Sequence, residues 1–296
     1  MKILIPLIIN SLKEIIRQPF YYVILISGCL IMLMSLTFTF FAFGEEAKMI
    51  RDMGISTITI SGLLAGCLSS SVLITNEFER QTVLAVLCKP IARIHYILGK
   101  YLGIILAAAV LILFQGLVLE IALIINKYNM VSSGLSDVSG VIDYACLLGI
   151  YFSLLQVLIL TAISLVLSLY LNTAANLTIC LLVFIFCHTF SYILPFYSHS
   201  LVSIVIPICY ALFPNFQNLN LMSISGTVAD PVLFWQKGTI LQYTVCNTFY
   251  TAIYCMAIIW LAVTLFKRRE IAWCEFLMQV GIVNIELFRY LFSVNN

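Results

Sequence analysis

Catalysis needs a nucleophile beside a base, or side chains at metal-ligand spacing, and this sequence offers neither. Ser69, Ser70 and Ser71 form a run of hydroxyls with no evident base. Their expected role is helix packing, each hydroxyl bonded to a carbonyl of the preceding turn. Of the ten cysteines, Cys29, Cys67, Cys146, Cys180, Cys187, Cys246 and Cys255 fall inside apolar runs without ligand spacing, so they read as small packing residues. There is no glycine-rich phosphate loop, no H-E-x-x-H and no G-x-S-x-G. No catalytic residue, metal or cofactor is therefore expected on this chain.

Two ionisable side chains, Glu120 and His188, fall within long apolar runs, where a titratable group is a functional candidate by default. Glu120 lies near the outer end of its run, where its carboxylate can reach headgroup water, and His188 reads as neutral and hydrogen-bonded. Gln115 and Gln156 are the notable amides. Between Tyr144 and Ala229 there is no Asp, Glu, Lys or Arg. The side chains there are aromatic and aliphatic, among them Phe184, Phe186, Phe190 and Tyr192; periodicity does not separate a lipid-facing surface from a cavity wall, and lining a path they would suit an apolar or amphipathic molecule rather than an ion.

The one long polar interruption is residues 76–101, NEFERQTVLAVLCKPIARIHYILGKY. Glu77, Glu79 and Arg80 come first, then an apolar helical pattern at Val83, Leu84 and Leu87, then Lys89, Pro90, Arg93 and Lys100. Basic residues gathered at a membrane exit mark a cytoplasmic segment. Asn76 with Glu79 resembles a capping pair, and Pro90 ends the helix it would start near Lys89. The pattern predicts a short helix along the membrane, a break, and a second helix climbing back into it. Such an elbow is a handle for another protein.

These residues are held by an apolar framework. With 62% hydrophobic and 9% charged residues and a mean hydropathy of +1.10 over 296 residues, the chain is too apolar for a soluble domain. A net charge of +2 gives no reason to expect nucleic acid as a partner. The expected fold is an all-α polytopic membrane protein with six transmembrane helices, at 20–43, 55–76, 101–125, 144–171, 173–194 and 239–266. An amphipathic interfacial helix at 7–18 precedes them, ended by Pro19, and the coupling elbow separates spans two and three. Residues 196–236 read as an external loop with a short re-entrant or interfacial helix near 201–212, and 267–296 as an amphipathic cytoplasmic tail. One transmembrane domain, 1–296, holds all of this. Eleven of the fifteen basic residues fall on one side if the N-terminus is inside, which puts both termini in the cytoplasm of a cell (inner) membrane.

Small residues recur every fourth position at Gly62, Gly66 and Ser70, and again at Gly99, Gly103 and Ala107. Such stripes let helix backbones approach closely within a subunit or across a dimer.

The stretch 76–101 resembles the ABC-2 type permease family, the membrane-spanning subunits of ATP-binding-cassette transporters. The matching residues are Glu79, Thr82, Pro90, Ile91, Arg93, Gly99, Lys100 and Tyr101, with weaker echoes at Phe213-Pro214-Asn215 and at 266–271, FKRREI. Gln81 departs from the family's usual small or polar residue, and the tail beyond Ile271 is longer than usual. The resemblance implies a subunit that pairs with a second permease copy or paralogue and carries no ATPase of its own. ATP and Mg would bind a separate ABC ATPase subunit, docked on Glu77, Glu79, Arg80, Gln81, Thr82, Leu87, Lys89, Pro90, Arg93 and Lys100. Competing readings are a membrane anchor that recruits an ATPase without transporting, and a secondary transporter. The second normally needs more charge or broken helices at mid-membrane than this sequence carries.

Overall fold

The computed structural model describes residues 4–37, 46–79, 93–132, 144–193, 213–219 and 239–279. Their regular structure is helical throughout: α1 (Leu4–Ile16), α2 (Pro19–Ser35), α3 (Glu46–Glu79), α4 (Arg93–Ser132), α5 (Tyr144–Ser168), α6 (Thr173–Ile193) and α7 (Thr239–Gln279), with a 3-10 turn at Gln217–Leu219. Among them α3, α4, α5 and α7 are long and apolar enough to cross a membrane, and α1 with α2 adds a fifth crossing if that pair is one bent span. The apolar part of α6 is shorter, 173–189. The molecule is thus an all-helical protein whose apolar helices are built for a bilayer.

The bend between α1 and α2 is 66° and has a local cause. Gln18 precedes a proline, which pushes it out of the helical region to φ −74°, ψ 135°, and Pro19 then starts α2 at a position where its missing N–H costs nothing. α1 rests on the start of α4. Leu7 lies over Gly99, and Ser11 with the Ile8 carbonyl lies over Gly103, so a side chain at either glycine would collide with α1. At Ala107 the stripe instead accepts a hydrogen bond from the Tyr21 hydroxyl, 3.0 Å from its carbonyl, at the start of α2.

Contacts fix the helix directions. α3 and α5 run parallel and meet at every turn, Ile55 on Gly149, Thr59 on Ser153, Gly62 on Val157, Gly66 on Thr161 and Ser70 on Ser164. α4 runs against α3, since Leu119 covers Gly54, Gln115 bonds Ser61 and Ile112 covers Gly62. α7 runs with α5 and against α4: Thr248 bonds Tyr151, Tyr170 bonds the Leu265 carbonyl, and Tyr96 stacks on Phe266. The α3–α5 seam is therefore the axis of the bundle. We call the end with the α5–α6 turn the turn end, and the end where α3, α5 and α7 begin the open end.

Large apolar side chains such as Leu30, Leu113, Leu117, Ile253 and Met256 stay exposed, as lipid-facing residues do. Exposed Tyr128 and Tyr144 mark the open end, and Tyr170 and Trp260 approach the turn end. From Tyr144 to Tyr170 the helical rise is about 39 Å, close to the thickness at which interfacial aromatics sit.

Three expectations are changed. α3 continues through Asn76 to Glu79, so Asn76 caps no new helix there. α7 continues past Phe266 through Lys267, Arg268 and Arg269 to Gln279, 41 residues in all, so the helix does not end at 266 but runs unbroken into the first part of the tail. Residues 213–219, placed in an external loop by Pro214 and the asparagines beside it, are packed into the bundle: Phe216 is 0% exposed and Leu219 1%.

Candidate functional site

Polar side chains cluster at two places along the α3–α5 seam, where small residues bring the helices close enough for hydroxyls to meet. At the turn end Ser70 and Ser164 share a hydrogen bond, and Asn176 of α6 donates to Ser71 Oγ at 2.5 Å, Ser164 Oγ at 2.9 Å and the Ser164 carbonyl at 3.2 Å. The Asn176 amide oxygen accepts from the Cys180 thiol at 3.5 Å. Ser70 and Ser71 both bond back to the Cys67 carbonyl, at 2.9 and 3.0 Å, the back-bonding expected of that hydroxyl run. Ser70, Ser71, Ser164 and Asn176 are fully buried. This cluster ties three helices together.

At the open end the seam is polar but not filled. Thr59 and Ser153 lie 2.9 Å apart, and each hydroxyl also reaches its own helix, Thr59 to the Ile55 carbonyl at 2.8 Å and Ser153 to that of Gly149 at 2.9 Å. A cavity of ≈ 270 Å³ opens here, lined by Ile55, Ser56, Thr59, Ile60, Gly149, Ser153, Gln156, Phe184, Ile185, His188, Thr189 and Leu219. No Asp, Glu, Lys or Arg is among them. His188 stacks on Phe184 with ring centroids 5.7 Å apart and is half-buried at the cavity wall.

The cavity floor is the inserted turn. Non-helical backbone at such depth must find partners for its polar groups within the protein. Gln156 donates to the Leu219 carbonyl at 2.8 Å. Two side chains of α7, Tyr243 at 2.5 Å and Asn247 at 3.3 Å, donate to the Asn218 carbonyl, and the Asn215 N–H donates to the Tyr250 hydroxyl at 3.1 Å. Phe216 packs against Phe184, and Phe213 against Phe186. Four amides or phenols from α5 and α7 thus hold one short segment in place.

The elbow residues fare differently. Glu77 and Glu79 lie in the last turn of α3 and Arg93 opens α4, while Arg80, Gln81, Thr82, Leu87, Lys89 and Pro90 lie outside the described residues. Lys100 is not on an exposed docking surface. It is 3% exposed, and its Nζ sits 3.9 Å from a carboxylate oxygen of Glu14, so it links α1 to α4. Gly62 and Gly66 are covered by α4 and α5, and Gly99 and Gly103 by α1, so these surfaces serve packing within the chain. Glu120 follows Leu119, which covers Gly54, and so lies toward the open end, half-buried and outside the cavity lining.

Sequence reasoning missed Thr59, Ser153, Ser164, Asn176 and Leu219, and flagged Gln156 without a partner. One signal was present: hydroxyls and small residues at three- and four-residue spacing in both α3 and α5, which is how two helices meet closely in lipid. Among the described residues no group of three His, Cys, Asp or Glu is placed to hold a metal. Neither the comparison with protein-family models nor that with curated proteins finds a match for this chain.

Proposed function

We propose that this chain is the membrane-spanning permease subunit of an ABC-2 type transporter, an exporter driven by ATP hydrolysis on a separate subunit, with six spans and both termini in the cytoplasm of a cell membrane. The observation that carries the reading is the pattern Glu79, Thr82, Pro90-Ile91, Arg93 and Gly99-Lys100-Tyr101 falling across the junction of α3 and α4. Two features support it. An interfacial helix is seated on Gly99 and Gly103 and paired to Lys100, so a push on the α3–α4 junction would be felt by α1. At the opposite end of the same seam lies an uncharged cavity floored by a non-helical turn, the kind of element that moves at low cost when helices shift. α6, though short, serves as the fifth span and closes the alternation of directions.

The test is purification from native membranes with identification of the chains that come along. An ATPase subunit that co-purifies, and whose turnover is uncoupled from transport by Glu79→Lys or Arg80→Glu while it stays bound, supports the reading. Normal transport by both variants removes the elbow from its role. Efflux driven by a proton gradient without ATP overturns the assignment. In a cysteine-free background, cysteines at Ser136 and Ser225 should react with an impermeant reagent from outside, and Cys88 restored alone should not.

A further inference from the structure

The cavity at the open end has a chemical character that narrows what it can hold. Among the described residues of its lining there is no Asp, Glu, Lys or Arg, and an ion brought to that depth without a counter-charge costs several kcal/mol. Three hydroxyls on its wall, those of Ser56, Thr59 and Ser153, already donate to carbonyls of their own helices. The Ser56 hydroxyl donates to the Asp52 carbonyl at 2.8 Å, and the Ser153 hydroxyl donates to that of Gly149 while accepting from Thr59 at 2.9 Å, which leaves the lone pairs of Ser56 and one of Ser153 as acceptors. Acceptors of this kind select a ligand that brings its own O–H donors.

Position narrows it further. Along α5 the lining runs from Gly149 to Gln156, about 7 to 18 Å of helical rise below Tyr144, which reaches from the interface toward mid-bilayer. The rim is apolar and faces outward: Ile60 is 48% exposed and Ile185 58%, and both lie on the lipid side of α3 and α6. Entry is therefore lateral, between α3 and α6. A volume of ≈ 270 Å³ stands at the lower end of the range of about 300 Å³ and upward typical of small-molecule sites. It fits a headgroup and the first part of a chain, with the rest of the chain left in the bilayer.

We propose that this cavity is a binding site for an uncharged, hydroxyl-bearing single-chain amphiphile of the acylglycerol type, its hydroxyls on Ser56 and the Thr59–Ser153 pair and its chain leaving between Ile60 and Ile185. Binding needs no ATPase partner, so the inference stands apart from the transporter reading.

The experiment uses the full chain purified into phosphatidylcholine nanodiscs and a monooleoylglycerol carrying a diazirine near the glycerol. Labelled peptides should map to α3 around 56–60 and to α6 around 185–189. Excess monooleoylglycerol should compete, while 1-oleoyl lysophosphatidic acid, which has the same chain and a charged headgroup, and hexadecane should not. Ser56→Trp and Thr189→Trp change exposed rim residues that the core does not need, and each should lower this labelling by about tenfold, equivalent to about 1.4 kcal/mol of binding, with the thermal midpoint unchanged. Labelling spread over exposed α7 residues such as Leu241, Met256 and Trp260, equal competition by the phosphate-bearing lipid or the alkane, or labelling unaffected by both rim variants in folded protein would each overturn the proposal.

Discussion

The two ends of the α3–α5 seam are built from the same kinds of residue and end in opposite states. Both bring a hydroxyl of α3 against a hydroxyl of α5 over small neighbours, Thr59 on Ser153 at one end and Ser70 on Ser164 at the other. The difference is what the third helix contributes. At the turn end α6 has just left the tight turn at Asn172 and delivers Asn176 into the gap, so Ser70, Ser71 and Ser164 all have partners and are fully buried. At the open end α6 presents Phe184 and His188, whose rings stand at the wall, and the remaining space is floored by Leu219 of the inserted turn. The same seam is thus a rivet at one end and a receptacle at the other.

The largest effect that would sharpen this contrast comes from matched glycine substitutions. At Gly66 a new methyl meets Thr161, which is fully buried and held by its own hydroxyl on the Leu158 carbonyl at 2.9 Å, so neither side chain nor helix can yield. Gly66→Ala should cost about 2–3 kcal/mol, in the range of overpacked cores. At Gly149 the methyl meets only the end of Ile55, which borders the cavity and can turn into it. Gly149→Ala should therefore cost less than about 1 kcal/mol. Equilibrium unfolding of both variants in lipid decides, and equal losses would mean that the open end is as tightly packed as the turn end.

Amide substitutions come next and separate global from local stability. Asn176→Leu removes three donations at once and leaves Ser71 and Ser164 short of a donor, so it should lower global stability by about 1–2 kcal/mol. Gln156→Leu removes one donation, to a turn that Tyr243, Asn247 and Tyr250 still hold. Its signature should be faster hydrogen exchange confined to 213–219, with the unfolding midpoint of the bundle nearly unmoved. Exchange that rises across α5 and α6 together would show that the inserted turn is part of the core.

Helix content and rough bounds were legible in the sequence, because long apolar runs broken by Pro19 and Asn172 leave few alternatives in a bilayer. The back-bonded hydroxyls of Ser70 and Ser71 were legible for the same local reason. What failed was whatever depended on a distant partner. Lys100 reads as one more basic residue at a membrane exit, and only the seating of α1 on Gly99 and Gly103 brings Glu14 beside it and buries it. The segment 213–219 reads as loop because Pro214 cannot donate to a helix and the asparagines beside it favour turns. That is correct about its backbone and silent about its depth, which is set by Gln156 and by the phenols and amide of α7. The cavity has no sequence signature, being the space three helices leave when one of them brings rings instead of an amide.

The smallest expected effects test the contrast at single hydroxyls. Ser164 shares a bond with Ser70, accepts from Asn176 and lies 3.4 Å from the Cys67 carbonyl, in a site that no water can enter without forcing the helices apart. Ser164→Ala strands those partners in a dry interior, and about 1 kcal/mol should be lost. Ser153 stands opposite it in the same seam, but its partner Thr59 keeps the Ile55 carbonyl at 2.8 Å, and the cavity beside it is roomy and polar enough to admit a water where the hydroxyl was. Ser153→Ala should therefore change global stability by no more than a few tenths of a kcal/mol. A calorimetric or denaturant midpoint for the pair settles the order. If Ser153→Ala proved the costlier of the two, the Thr59–Ser153 contact would be a structural rivet like its counterpart, and the space beside it a packing remnant instead of a receptacle.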